Sequence, residues 1–409
     1  MVYNSRLGNV MDPRITPPQD WDRSGLPGWA YFSQELFELE CAEIFKTHWQ
    51  FVCHINELSQ NGAYTTFDLV GERALVIKGH DGRVRAFHNL CRHRGSRVVP
   101  DASGVCNKAM ICPYHGWAYN LDGSLRGIAN KNTFPPMDAE KWGLKKLEME
   151  VWNGLVFVRF SPGPQPSVAK VLGRFDEEIA PYDLANMVPT TTNSMHDLLP
   201  VNWKSVRDVD NEGYHVRQAH PGLHELYGNG YFDEPFLDGT SRSVGTFNEA
   251  PGHRWSVRKY RDLLPEASHL PLSQQRQWIY FGMFPNFVLG LYPDSVIFYQ
   301  DVPQSATQTL QRGMCYRRPD ESREMKVARY LSGRIDRDTG AEDQMLMVWS
   351  CEATRSSAYD GVILSDLEYG VKTYHDHLRN LIPVVEHSTA PLGGQMATLN
   401  KEILLKRTA

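Results

Sequence analysis

Two short stretches carry residue types that bind transition metals: Cys91-x-His93, then eighteen residues, then Cys112-x-x-His115. Each supplies one thiolate and one imidazole. A structural zinc ion accepts two Cys and two His in a tetrahedron, but zinc fingers usually pair Cys with Cys and His with His along the chain. One Cys and one His per stretch suits a two-iron, two-sulfide cluster better. There two thiolates hold one iron, two imidazoles hold the other, and two loops clasp the cluster from opposite sides. Cys106 has no histidine nearby and reads as a core thiol, as do Cys41, Cys53, Cys315 and Cys351.

A second group lies in NWKSVRDVDNEGYHVRQAHPGLHELY. His215 and His220, with four residues between them, sit about 140° apart on an ideal helix and not on one face. His220 and His224 have the better helical spacing, yet Pro221 and Gly222 between them predict a helix end just after His220. A side chain at a helix terminus can turn inward where one in mid-helix cannot, which favours His215 and His220. Two neutral imidazoles plus one carboxylate make the facial triad of non-haem Fe(II) sites, with the opposite face open for O₂ and substrate.

The elements that must hold these groups follow from pattern. From about Trp49 to Phe160 the chain is a series of short β-branched or aromatic runs, YTTFDLV, RALVIKG, VRAFHNL, AMICPYH, GWAYNL and GLVFVRF, split by turns such as GHDG and LDGS. This predicts a compact antiparallel all-β domain with its Cys/His pairs where strands meet loops. Before it, SQELFELECAEIFKTHW has helical spacing at Leu36, Phe37, Ile44 and Phe45 with Ser33 as N-cap. After it, SPGPQP marks a boundary. The remainder mixes strands (RQWIYFGMFPNFVLGLYP, SVIFYQDVP) with helices (MKVARYLSGRI, EYGVKTYHDHLRNLI).

Bulk composition narrows the function classes. The 43 Lys and Arg against 48 Asp and Glu give a formal net charge of -5, which offers no footprint for nucleic acid. No apolar run spans a bilayer, the N-terminus lacks a signal-peptide pattern, and seven cysteines spread over 409 residues suit a reducing compartment. A soluble, cytoplasmic protein with no membrane contact is expected. There is no GxGxxG after a strand and no P-loop, so nicotinamide and ATP are not expected to bind.

The stretches CRHRG and CPYHGW, with Gly95, Pro113, Gly116 and Trp117, closely resemble the cluster-binding loops of the Rieske family. Over almost its whole length the chain resembles the oxygenase (alpha) subunit of Rieske non-haem iron oxygenases. The resemblance implies an α+β fold: an all-β Rieske [2Fe-2S] domain at 48–160 and a helix-grip catalytic domain, an antiparallel sheet with helices, at 161–409. An N-terminal helical segment, 1–47, would pack on the catalytic domain. In that family an NWK segment precedes an acid, any residue, Tyr, His, four residues and a second His; here these are Asn202, Trp203, Lys204, Glu212, Tyr214, His215 and His220. The third iron ligand is an acid opening a late helix. DTGAEDQMLMVWSCEA supplies Asp343, with Glu342 as the alternative and Asp360 and Asp366 less favoured in the following loop.

The same resemblance implies a head-to-tail homotrimer in which the cluster of one subunit serves the mononuclear iron of the next. An acid bridges a cluster histidine and an iron histidine, by position Glu212 between His115 and His215. Relatives usually carry Asn six residues before the first histidine, where this chain has Val209, so Asp208 and Asp210 stay open as bridges. Electrons would come from a separate NADH-dependent flavin and iron–sulfur reductase. Glu at the bridge matches the branch acting on quaternary ammonium compounds. Tyr280, Phe284, Phe287, Tyr292 and Phe298, in a stretch that also holds Trp278, Phe281 and Tyr299, are candidates to recognise such a cation through their ring faces. The expected reaction is oxidative N-demethylation, of proline betaine (stachydrine) first and glycine betaine next. Hydroxylation or dihydroxylation of an aromatic ring is the alternative.

Overall fold

The computed structural model describes residues 16–190 and 194–408; the first fifteen residues, part of the expected N-terminal segment, lie outside it. The chain forms two compact units. One comprises residues 45–170 and 184–189, the other residues up to 44, 171–183 and 190 onward. Among the described residues no helix is long and apolar enough to cross a membrane.

The first unit is built from short antiparallel strands. β2 (Ala63–Leu69), β3 (Glu72–Lys78), β4 (Val84–His88) and β5 (Ser103–Val105) form one sheet in the order β4-β3-β2-β5. β6 (Met110–Ile111), β7 (Ala118–Tyr119) and β8 (Leu125–Gly127) form a second, and β1 (Gln50–His54), β10 (Leu155–Arg159) and β9 (Glu148–Trp152) a third. Leu75, Ile77, Phe87, Val98, Met110, Trp117 and Tyr119 pack into one buried core that also takes in Cys91 and Cys112. Cys106 packs on its margin, where burial pushes the thiol pKa up.

The second unit carries a larger antiparallel sheet. Its strands are β11 (Met195–Leu199), β12 (Tyr231–Asp233), β13 (Thr240–Thr246), β14 (Gln277–Met283), β15 (Phe287–Leu291), β16 (Val296–Ser305) and β17 (Gln308–Arg317). They run in the order β12-β13-β14-β15-β16-β17-β11. Its helices include α1 (Gln34–Glu40), α2 (Trp203–Asp210), α3 (Val216–Ala219), α4 (Pro221–Tyr227), α5 (Trp255–Leu263), α6 (Arg323–Ala353) and α7 (Tyr369–Leu381). Ser33 caps α1 by accepting from the Leu36 N–H.

The NWK segment has a local physical meaning. The Asn202 side chain caps α2 by accepting from the Lys204 N–H, while Trp203 Nε1 and Lys204 Nζ both donate to the Glu40 carboxylate, at 2.8 and 2.5 Å. Lys204 and Glu40 are fully buried, so α1 and α2 are joined through a desolvated ion pair.

One expectation needs correction. Asp343 does not open a helix: α6 runs unbroken for 31 residues from its Ser322 cap, and Asp343 stands deep in its second half. Gly340, like Gly333 before it, lies inside this helix. A single glycine costs a helix only about 1 kcal/mol, and packing on both sides outweighs that. Ala328, Leu331 and Ile335 anchor one end of α6 against α4, α5 and β14, while Met347 and Cys351 anchor the other against Val206 of α2. The polar residues between those anchors face a cavity.

Candidate metal centres

The two Cys/His loops of the first unit share one backbone plan. In the first, the Cys91 N–H donates to Ser96 O (2.7 Å) and the Gly95 N–H returns to Cys91 O (2.9 Å). In the second, the Cys112 N–H donates to Trp117 O (2.9 Å) and the Gly116 N–H returns to Cys112 O (3.0 Å). Both glycines have left-handed φ, +74° and +69°, which lets each loop reverse sharply after its histidine. The buried Asn89 side chain pins the first loop by accepting from the Val98 and Val99 N–H groups and donating to Val99 O.

These loops bring all four residues together. Cys91 and Cys112 are buried, the half-buried His93 and His115 rings lie 4.6 Å apart, and His93 stacks on Trp117 at 2°. Tyr119 accepts the Arg92 N–H at 2.9 Å, and its hydroxyl lies 3.3 Å from Cys91 Sγ. Buried His93 Nδ1 has no hydrogen-bond partner among the described residues. Inner thiols, outer imidazoles and an orphaned ring nitrogen fit a [2Fe-2S] cluster whose two irons take different ligands.

In the second unit His215, His220 and Asp343 converge. α3 ends where Pro221 was expected to end it, with His220 at φ −116°, but Pro221 also serves as first residue of α4. His220 therefore sits in a one-residue break between two helices and turns inward. Its Nε2 lies 3.0 Å from His215 Nε2 and 2.8 Å from Asp343 Oδ1, which is 3.5 Å from His215 Nε2.

The outer nitrogens explain why this cluster needs a cation. His215 Nδ1 donates to Glu212 Oε1 at 2.6 Å, and His220 Nδ1 donates to Glu342 Oε2 at 2.9 Å. With their protons held on Nδ1, both Nε2 lone pairs and a carboxylate oxygen face one point, three acceptors without a donor. Burial opposes the charged form of His215, but the Asp343 and Glu212 carboxylates outweigh it and push its pKa up to about 10. The field at this point favours a positive charge, and the donor set suits Fe(II).

The open carboxylate alternatives are engaged elsewhere. Asp208 accepts from the Tyr31 hydroxyl and lies 2.7 Å from His375 Nε2. Asp210 pairs with Arg207, which also pairs with Asp301 at 2.6 Å. Glu212 alone of the three touches a site histidine, and it also accepts the His215 N–H at 3.1 Å. Glu342 was considered as a ligand; one residue along the helix from Asp343, it reaches the far side of the His220 ring instead.

The three converging residues stand on the wall of a cavity of about 580 Å³. Of the aromatic candidates, Tyr280 and Tyr292 line it; Phe284 and Phe287 do not. Side chains alternate across the sheet, and Val288 of β15 faces the cavity while Phe287 faces away and stacks on Phe298. Phe284 lies past the end of β14 and packs on Phe236, Tyr374 and His377. Phe298 borders the cavity, but its ring stacks on Phe287 and Tyr316. Tyr231, Tyr299 and Asp336 also line the space and were not singled out from the sequence. Tyr299 stands in the same aromatic stretch as Tyr280, where alternation alone does not say which rings face the cavity; Tyr231 and Asp336 come from elements whose placement no local pattern reveals.

The Rieske [2Fe-2S] domain profile matches residues 48–143, and the ring-hydroxylating alpha subunit (catalytic domain) profile matches residues 182–383. The chain is 33% identical over 222 residues to the glycine betaine monooxygenase oxygenase subunit of Pseudomonas aeruginosa, covering 53% of this chain and 51% of that protein. It is 32% identical over 230 residues to the carnitine monooxygenase oxygenase subunit of Escherichia coli, covering 52% and 58%. The chain thus spans about half the length of these curated relatives. Its fold is like that of a solved quaternary ammonium Rieske monooxygenase, with TM-score 0.73 and 24% identity over 90% of this chain and 96% of that one. The matched domains imply a Rieske cluster and a mononuclear iron.

Proposed function

The chain carries a Rieske [2Fe-2S] domain followed by the catalytic domain of a ring-hydroxylating alpha subunit, and from that premise we propose that it is the terminal oxygenase of an N-demethylating system. Its substrate is a quaternary ammonium compound, proline betaine first and glycine betaine next. One observation carries the reading: the His215, His220 and Asp343 cluster opens onto a cavity walled by Tyr231, Tyr280, Tyr292 and Tyr299. Tyrosine rings attract a quaternary ammonium through their faces. The similarity to glycine betaine and carnitine monooxygenase subunits supports the same substrate class.

Iron would be held by His215, His220 and Asp343 and would supply O₂ activation, and a [2Fe-2S] cluster would be held by Cys91, His93, Cys112 and His115 and would supply electrons drawn from an NADH-dependent flavin and iron–sulfur reductase. The chain's own residues do the rest. Glu212 and Glu342 keep each ring proton on Nδ1 and so fix the direction of both Nε2 lone pairs. In a head-to-tail homotrimer the Glu212 carboxylate would also accept a hydrogen bond from the ring N–H of the partner subunit's His115, which would join the two centres by hydrogen bonds. Hydroxylation of an N-methyl carbon gives a carbinolamine. Its hydroxyl loses a proton, the C–N bond breaks, formaldehyde leaves, and nitrogen keeps the electron pair as a tertiary amine.

The test is a panel of betaines and aromatic acids incubated with reductase, NADH and O₂. Formaldehyde should appear with proline betaine or glycine betaine. A hydroxylated aromatic product, with no formaldehyde from any betaine, overturns the substrate assignment in favour of ring hydroxylation.

A further inference from the structure

Two turns of α6 before Asp343 stands a carboxylate that the metal site does not use. Asp336 lines the same cavity. Seven residues of helix advance about 10.5 Å and fall about 20° short of two full turns, so Asp336 and Asp343 look out from nearly one face.

The setting of Asp336 is aromatic. Its Oδ1 accepts from the Tyr292 hydroxyl at 2.9 Å; that hydroxyl lies 3.0 Å from that of Tyr280, which in turn lies 3.4 Å from that of Tyr227. Tyr292 is held flat against Trp278, with centroids 4.0 Å apart and planes at 8°, and it meets Tyr280 nearly edge-on at 81°. The two cavity-lining tyrosines thus make a fixed corner beside the carboxylate. Among the described residues Asp336 has no ion-pair partner, although Lys and Arg satisfy many other acids of the chain. A half-buried acid beside aromatic rings and without an ion-pair partner is complementary to a cationic ligand.

We infer that Asp336 is the specificity-determining counter-ion of this cavity, seating a positively charged nitrogen in the corner made by Tyr280 and Tyr292. The inference rests on the quaternary ammonium reading and deepens it: charge, and not shape alone, selects the substrate.

A linked property follows. Burial pushes the Asp336 carboxyl up to about 8; the Tyr292 hydrogen bond and the Arg337 charge oppose this, while Asp294 adds to it. The other groups facing it are Tyr227 from α4, Tyr260 from α5, Tyr280 from β14 and Cys315 from β17, all held neutral by burial. Without a cation beside it the carboxyl keeps its proton at neutral pH, and a fixed positive charge expels that proton. Cation binding therefore releases a proton and tightens as pH rises from about 6 to about 8.

The experiment is calorimetric titration of the iron-loaded, anaerobic protein with glycine betaine and with 3,3-dimethylbutanoate, its isostere with carbon in place of the cationic nitrogen. Two buffers of different ionisation heat count the protons. Glycine betaine should bind wild type with proton release, and Asp336→Asn should weaken it about tenfold or more, abolish the release and leave 3,3-dimethylbutanoate unaffected. Asp336→Glu should recover part of both properties. Unchanged betaine binding in Asp336→Asn, or equal loss of both ligands in the two variants, overturns the inference while leaving the proposed function standing. A wild-type protein that binds aromatic acids and no quaternary ammonium overturns both.

Discussion

Glu342 accepts a hydrogen bond from Nδ1 of His220 at 2.9 Å, although its chain neighbour Asp343 faces the other nitrogen of that ring, with Oδ1 2.8 Å from Nε2. Two consecutive helical residues clasp one imidazole from both sides. Replacing Glu342 by Ala frees Nδ1 and lets the ring turn, so iron affinity should fall about 10–100-fold. Chelator titration measures this, with the visible spectrum of the [2Fe-2S] cluster expected to stay unchanged. Iron retention equal to wild type would remove Glu342 from the site's support.

Glu212 holds His215 through its ring and through its backbone N–H. Glu212→Gln should keep both metals and lower turnover about 100-fold, because an amide cannot accept protons from two imidazoles with both of its polar atoms. Steady-state formaldehyde release together with metal analysis tests this. Near-normal turnover in the variant would return the bridge to Asp208 or Asp210.

Tyr119 is positioned to donate to Cys91 Sγ, since toward a thiolate its hydroxyl can only be a donor. Hydrogen bonds to cluster sulfur stabilise the reduced state, so Tyr119→Phe should lower the cluster potential by some tens of millivolts. Spectroelectrochemistry of the intact protein reads this directly. An unchanged potential would leave Tyr119 only its contact with the Arg92 N–H.

Lys204 and Glu40 form an ion pair with no exposure on either side, and Trp203 donates to the same carboxylate. Removing the cation alone strands a buried charge. Lys204→Met should destabilise the protein by about 3–5 kcal/mol, visible as a lower urea midpoint for the catalytic unit. Pairing it with Glu40→Gln should restore much of the loss; an equal loss in the double variant would point to packing as the cause.

Chemistry was most readable where backbone geometry is local. CRHRG and CPYHGW announce their turns through Gly95 and Gly116, and the Pro221 break after His220 is visible because proline cannot continue a helix. Asp343 was legible as an acid but not as a mid-helix residue, because the forces that carry α6 through Gly340 come from Val206, Tyr260 and Trp278, distant in sequence. The split between Tyr280 and Tyr292 on one side and Phe284 and Phe287 on the other depends on which face of the sheet meets the cavity. Composition of the stretch does not encode that. Glu342 was readable as an alternative ligand but not as the partner of the outer His220 nitrogen, and Asp336 was not readable as a counter-ion, since each gains its partner only when α6 is laid against the rest of the unit.

Because one unbroken helix carries Asp336, Glu342 and Asp343, chain length becomes a constraint in its own right. A single residue inserted between Asp336 and Asp343 would rotate the first about 100° away from the second. The same insertion in the segment between Ala353 and Asp366, which has no regular helix or strand, turns nothing at the site. Length variation in descendants or engineered versions of this chain should therefore accumulate after the helix, and seven should be the spacing that survives inside it.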